Sequence, residues 1–314
     1  MISLLWLLGG GLLLYLGAEA LIRGAVALAV RAGMTPLVVR LTVVAAGTSM
    51  PELVVSVLSS VRGEGAIAIG NVVGSNICNI LLIAGVAALI RPITVQRAIV
   101  RREIPLMIAA TVLAAALLLW GDSLVRWEAG LLLGLLVTST AWSIRAARRE
   151  TALAPEAAGI PADAAGAPPI RNLAMLVLGL VLLVVGANGF VEGATELARM
   201  FGLSEAVIGL TVVAIGTSLP ELATSVVAAL RWESDLALGN IVGSNVFNLL
   251  GILGITGLVQ PLALPAGSAG DLGVMLAAAV LLLPLSRTGF RLQRWEGAVL
   301  VGSYVAYIGW LLAR

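Results

Sequence analysis

Apolar runs of membrane-spanning length alternate with short polar breaks along the whole chain. They fall at roughly 2–30, 36–60, 67–90, 100–120, 124–147, 171–200, 204–230, 236–259, 270–286 and 292–312. A helix crosses the hydrocarbon core with about 20 apolar residues. The pattern therefore predicts ten transmembrane helices, five on each side of one long polar interval, 148–170. That interval is rich in Ala and Pro, reads as a short connector, and leaves no room for a soluble regulatory domain. The first run lacks the basic leading region of a signal peptide. Its residues 17–33 also align with 186–202, so it is kept as the first membrane helix.

The alignment extends much further. G-T-S-M-P-E-L at 47–53 returns as G-T-S-L-P-E-L at 216–222, and G-N-V-V-G-S-N-I-C-N at 70–79 returns as G-N-I-V-G-S-N-V-F-N at 239–248. The offset is 169 throughout (Glu221 minus Glu52, Asn248 minus Asn79). An odd number of helices per half requires the second half to be inverted, and the arginines agree. The loop after helix 3 carries Arg91, Arg97, Arg101 and Arg102, whereas its counterpart after helix 8 has none. The loop after helix 4 has only Arg126, whereas its counterpart after helix 9 has Arg287, Arg291 and Arg294. The fold class expected is all-α integral membrane, ten transmembrane helices as two inverted five-helix repeats. Residues 1–147 form the first repeat, 148–170 the linker and 171–314 the second. By the positive-inside rule the linker is cytoplasmic and both termini are outside, in the cell membrane.

Composition narrows the chemistry. The chain is 60% hydrophobic and 11% charged, with a mean hydropathy of +1.07, far from the composition of soluble domains. All 19 basic residues are Arg and sit in the gaps between apolar runs, as topology signals do, so the pI of 9.2 does not suggest nucleic-acid binding. There is no His, which removes His-liganded metals and His bases, and a single cysteine, Cys78, forms no intrachain disulfide. The 36 glycines suit close helix packing in lipid.

A carboxylate inside a membrane helix is costly and marks a functional site by default. Glu52 and Glu221 occupy equivalent places in the two copies, which predicts one site built between the halves. Thr48 lies four residues and Ser49 three residues before Glu52, spacings that put their oxygens on one helical face. Pro51 lacks an N–H, so the Gly47 carbonyl is expected to lose its helical partner. Thr217, Ser218, Pro220 and Glu221 repeat the arrangement, while Ser75 with Asn79 and Ser244 with Asn248 add oxygens four apart. An all-oxygen set suits hard cations such as Na⁺ and Ca²⁺, and two glutamates neutralise one Ca²⁺. Asn76 and Asn245 sit one step round the helix, where helix–helix hydrogen bonding competes with ion binding. Glu19, Glu192 and Glu196 align with Asn188, Arg23 and Ala27, and this loss of symmetry argues against their membership of the central site. Arg40 reads as a cytoplasmic anchor.

At these residues the chain resembles the calcium/cation antiporter superfamily, specifically prokaryotic sodium/calcium exchangers. The two G-T-S-x-P-E-L and G-N-x-V-G-S-N-x-x-N blocks look like that family's alpha repeats, here 36–92 and 205–261. The resemblance implies a mid-membrane site in which Thr48, Ser49, Glu52, Ser75 and Asn79 meet Thr217, Ser218, Glu221, Ser244 and Asn248. It adds the backbone carbonyls of Ala45 and Ala214, and it makes helices 1 and 6 a gating pair. Many prokaryotic relatives and the potassium-dependent exchangers carry Asp where this chain has Asn248. The proton/calcium branch carries a G-N-x-x-E block that is absent here.

The expected function is secondary antiport of Ca²⁺ for Na⁺ by alternating access, with the ions as cargo, the lipid bilayer as surroundings, and neither a cofactor, a nucleic acid nor an obligatory protein partner. Ca²⁺/H⁺ exchange on the same scaffold is the nearest alternative, since a buried Glu can carry protons. A cation channel would pass ions without a counter-ion. A hydrolase using Ser49 or Ser218 lacks a His base.

Overall fold

The computed structural model describes residues 2–31, 40–121, 123–153, 168–202, 214–231, 234–265 and 267–313. The chain forms α1 (Ile2–Arg31), a π-helical turn Arg40–Val44, α2 (Ala45–Thr48) and α3 (Met50–Val61). Then come α4 (Gly65–Ile90), α5 (Ile99–Trp120), α6 (Arg126–Leu153) and α7 (Pro169–Met200). The second motif copy lies in α8 (Ala214–Thr217) and α9 (Leu219–Leu230). It is followed by α10, which runs as Ser234–Val246, a π turn Phe247–Ile252 and Leu253–Val259. The last helices are α11 (Ala269–Arg287) and α12 (Arg294–Ala313).

Among the described residues, eight helices are long and apolar enough to cross a membrane, and the bent pair Leu41–Thr48 with Met50–Val61 makes a ninth. α9 is a shorter apolar helix, and the stretch 203–213 that would lengthen the seventh span lies outside the described residues. So does most of the connector: α6 continues to Leu153 and α7 begins at Pro169, leaving 154–167 undescribed.

α4 and α10 are the centre of the bundle. Of their apolar windows 72% and 83% are buried, against 33% and 28% for α1 and α7. The latter two pack antiparallel as a peripheral pair. A Cβ on Gly10 would stand 2.5 Å from Phe190 N, one on Gly17 2.8 Å from Leu183 N, and one on Gly24 2.7 Å from Leu176 N. Gly179, Gly186 and Gly193 meet α1 in the same way. These glycines recur every seven residues, so one face of each helix presents bare backbone to the other.

Two small ribbons fix the ends of the bundle. β1 (Ile93–Thr94) pairs antiparallel with β4 (Arg291–Leu292), and β2 (Ser123–Leu124) with β3 (Leu262–Ala263). The inward residues Ile93, Leu292, Leu124 and Leu262 are fully buried. The first ribbon gathers the arginine-rich connections at one end, where Arg294 donates to the Ile90 carbonyl (3.3 Å) and Arg97 lies over Phe290. α5 runs from there to the second ribbon at the opposite end, and α11 runs back from the second ribbon to the first. The Ser234–Val246 stretch of α10 packs on β1, and the Gly65–Ile77 stretch of α4 packs on β3, so these central helices enter the bundle from opposite ends.

Candidate functional site

Both T-S-x-P-E motifs break their helix at the serine. Ser49 (φ −84°, ψ 10°) and Ser218 (φ −90°, ψ 10°) leave helical geometry, and the axis before Ser49 meets the axis after it at 54°. Pro51 and Pro220 follow in the first turn of α3 and α9, where a missing N–H costs nothing. Glu52 and Glu221 sit in those same first turns, at the positive end of a helix dipole that favours an anion. At the break the backbone N–H of Ser49 closes on the Ala45 carbonyl.

Each serine serves the carboxylate of the other half. Ser49 Oγ donates to Glu221 Oε1 at 2.7 Å, and Ser218 Oγ donates to Glu52 Oε1 at 3.1 Å. The four residues are 1% exposed or less. α2 packs against α10, which carries Ser244; α8 packs against α4, which carries Ser75. At the asparagine of each serine–asparagine pair the helix widens into a π turn, Cys78–Ile83 and Phe247–Ile252, and each turn packs against the motif helix of the opposite half. Asn79 and Asn248 are the second residues of those turns, a placement typical of functional π bulges. Thr48 donates to the Ala45 carbonyl (3.3 Å), which also accepts Ser49 N–H (3.1 Å). Ala214 is helical, and its side chain lies outside the described ones. Thr217, half-buried, lines a cavity of about 450 Å³ together with Ser75, Asn71, Asp271 and Tyr304.

Several buried polar atoms in this region have no protein partner: Glu52 Oε2, Glu221 Oε2, both amide atoms of Asn79 and of Asn248, Ser244 Oγ and both amide atoms of Asn245. Buried polar groups are ordinarily satisfied. A cluster of carboxylate, amide and hydroxyl oxygens left open between two halves fits a bound, desolvated cation. Asn76 donates to the Val72 carbonyl (2.7 Å), an intrahelical bond, while its Oδ1 stays open. Among the described residues no three His, Cys, Asp or Glu side chains group together. The site therefore offers two carboxylates and neutral oxygens, a set for hard cations.

Two residues were missed from the sequence. Asn71 Nδ2 donates to the Glu52 carbonyl (3.0 Å) and to Ser56 Oγ (2.9 Å), and Asn240 Nδ2 donates to Thr224 Oγ1 (3.0 Å), which in turn bonds the Pro220 and Glu221 carbonyls. They are the first asparagines of the two G-N-x-V-G-S-N blocks, and that repetition was their only signal. Glu192 and Glu196 lie exposed on α7, away from the site. Arg40 begins the π turn, and its side chain lies outside the described ones.

A bundle of apolar helices holding a mirrored, buried carboxylate pair defines a membrane ion antiporter, and comparison with known proteins agrees. The family described as "sodium/calcium exchanger protein" matches residues 2–145 and 171–313. The chain belongs to this sodium/calcium exchanger family. It is 40% identical to CaxA of Alkalimonas amylolytica, provisionally named an antiporter, over 98% of both chains. It is 33% identical to the sodium/calcium exchanger MaX1 of Methanosarcina acetivorans, over 98% of this chain and 97% of the other. A structure of the sodium-calcium exchanger NCX_Mj soaked with zero Na⁺ and Ca²⁺ superposes with a TM-score of 0.83 at 30% identity, over 99% of both chains.

Proposed function

We propose that this chain exchanges Ca²⁺ for Na⁺ at one mid-membrane site between its halves, by alternating access. The observation that carries the reading is the reciprocal pair of bonds from Ser49 to Glu221 and from Ser218 to Glu52, each leaving the second carboxylate oxygen open in a buried setting. Two carboxylates balance one Ca²⁺, and the same oxygens suit Na⁺. Thr48, Ser75, Asn79, Thr217, Ser244, Asn248 and the Ala45 and Ala214 carbonyls complete the ligand set in this reading. The exchange with Na⁺ rather than H⁺ rests on the missing G-N-x-x-E block.

Asn248 brings an amide oxygen but no charge. A K⁺ bound together with Ca²⁺ would be uncompensated in a dry site, at substantial electrostatic cost. The decisive experiment is ⁴⁵Ca²⁺ uptake into proteoliposomes under imposed Na⁺, K⁺ or H⁺ gradients. The expected result is Na⁺-driven flux that persists with choline replacing K⁺ on both sides. Flux driven by a pH gradient alone would establish Ca²⁺/H⁺ exchange instead. Flux with no counter-ion would mean a channel.

The two halves, 1–147 and 171–314, read as inverted five-helix repeats, with the 148–170 linker and the arginine-rich end cytoplasmic and both termini outside. The ribbons support this, because the connections after α4 and before α12 share one end while those after α5 and α10 share the other. In a Cys78→Ala background, cysteines in loop 91–98 are expected to react with impermeant maleimide only from the cytoplasm, and those in loop 262–268 only from outside. Reaction of both loops from the same face would end the inverted reading.

A further inference from the structure

α1 and α7 are joined to each other backbone against backbone. Leu180 of α7 rests against Gly47, and Val191 rests against Gly216, so α7 crosses both motif breaks with apolar side chains. A polar tie crosses from this pair to the core. Glu19 of α1 accepts from Arg231, which caps the C-terminal end of α9, and from Arg23 (2.5 Å) one turn along its own helix. The Glu19 side chain is 15% exposed, and Arg231 is 32% exposed.

The tie has no equal in the other half. At the repeat offset Glu19 corresponds to Asn188 and Arg231 to Arg62 (188 minus 19, and 231 minus 62, are both 169). Asn188 and Arg62 are both exposed. In an inverted repeat the two access states are related by exchanging the conformations of the halves. The state that brings Glu19 to Arg231 therefore has a counterpart in which Asn188 approaches Arg62, with an amide in the place of the carboxylate. Glu192, which stands where Arg23 stands in the first half, is exposed, and a solvated pair from there would add little.

We infer that Glu19 and Arg231 form a latch that holds the α1–α7 pair against the core in one of the two access states and has no opposite number in the other. This inference rests on the alternating-access reading of the same chain. The latch lies at the arginine-rich end, since Arg231 leads directly into the start of α10, which packs on β1. The cavity that reaches Ser75 and Thr217 is bordered by Ser268, Asp271 and Leu311, residues of the opposite end. The latch and this cavity thus lie at opposite ends of the bundle. A contact made in only one state biases the equilibrium by its full strength, whereas one made in both shifts nothing. Glu19 and Arg231 are positioning residues: they touch no transported ion, and they act through the placement of α1.

The test reads the position of α1 directly. Nitroxides at Leu5→Cys on α1 and Val280→Cys on α11, both exposed positions, are placed in a Cys78→Ala background. Distances are measured in lipid nanodiscs free of Na⁺ and Ca²⁺. Glu19→Gln and Arg231→Gln are each expected to shift the ratio of the two distance populations about tenfold toward the unlatched state, the scale of a partly buried charge-assisted hydrogen bond. Glu19→Asn, which copies the residue tolerated at the equivalent place in the other half, should shift it likewise. The exchange Glu19→Arg with Arg231→Glu should move the ratio back toward that of the natural chain, because the ion pair re-forms with its signs reversed, less the repulsion of the new guanidinium by Arg23 one turn away. An unchanged ratio in Glu19→Gln and Glu19→Asn overturns the latch. So does a charge exchange that stays as displaced as the single variants, which would assign the shift to packing. No transported ion is present in these measurements. A shifted ratio in a chain that shows no Na⁺-driven Ca²⁺ flux would therefore remove the exchange reading and leave the latch standing.

Discussion

Glu52→Gln and Glu221→Gln are each expected to abolish Ca²⁺ exchange while the protein still folds. The amide keeps the shape of the carboxylate, and its oxygen can accept the same serine hydroxyl, from Ser218 at Glu52 and from Ser49 at Glu221. The fold therefore loses no buried hydrogen bond. The cation loses half of its neutralising charge. At about 4 Å, with an effective dielectric constant near 20, one unit charge is worth about 4 kcal/mol. That corresponds to about a thousandfold in affinity, before the second charge of Ca²⁺ is considered. The measurement is Na⁺-driven ⁴⁵Ca²⁺ uptake at matched protein density, with thermal unfolding as the check on folding. Near-normal uptake in both variants would remove the central site. Ser49→Ala and Ser218→Ala are milder changes, since each deletes one neutral ligand and one positioning bond and leaves both charges in place.

The carboxylates were legible in the sequence because charge in an apolar run is expensive and because the chain writes the motif twice. What the sequence left open is the partnership inside the motif. Spacing of three and four residues puts Ser49 and Thr48 on the face of Glu52 only while the helix is continuous. The axis bends by 54° at Ser49, and the serine hydroxyl donates to Glu221 of the other half. A helix-face argument cannot cross from one half to the other, because it knows only the axis it is drawn on. The π turns at Cys78–Ile83 and Phe247–Ile252 were invisible for a related reason: no side-chain propensity distinguishes one wide turn inside a long apolar helix. Asn71 and Asn240 were passed over because their work is done on a backbone carbonyl and a hydroxyl of a neighbouring helix. Glu19 reads from the sequence as lying outside the central site, and its loss of repeat symmetry became informative only once Arg231 was found against it.

Gly10→Val and Gly179→Val are expected to lower stability sharply and to silence transport, whereas Gly9→Val, one residue away, leaves both nearly unchanged. A Cβ at Gly10 would stand 2.5 Å from Phe190 N and 2.7 Å from the Gly186 carbonyl, and one at Gly179 would stand 2.5 Å from Leu21 N. These neighbours are helical backbone, which cannot rotate away as a side chain can. The two axes must separate along the whole seam, because the contacts at Gly17, Gly186 and Gly193 are equally close. In lipid the loss is of direct packing, since burial from water does not drive helices together there. Overpacking of even a yielding core costs about 1–3 kcal/mol, and a rigid seam belongs at or above the top of that range. Gly9 has nothing within 4 Å, so a side chain there meets open space, and the added helix propensity favours the variant slightly. Thermal unfolding in detergent measures the first effect, and ⁴⁵Ca²⁺ uptake measures the second. Equal melting temperatures for Gly9→Val and Gly10→Val would show that α1 and α7 do not meet backbone to backbone. The unit that carries the latch would then have to be sought elsewhere.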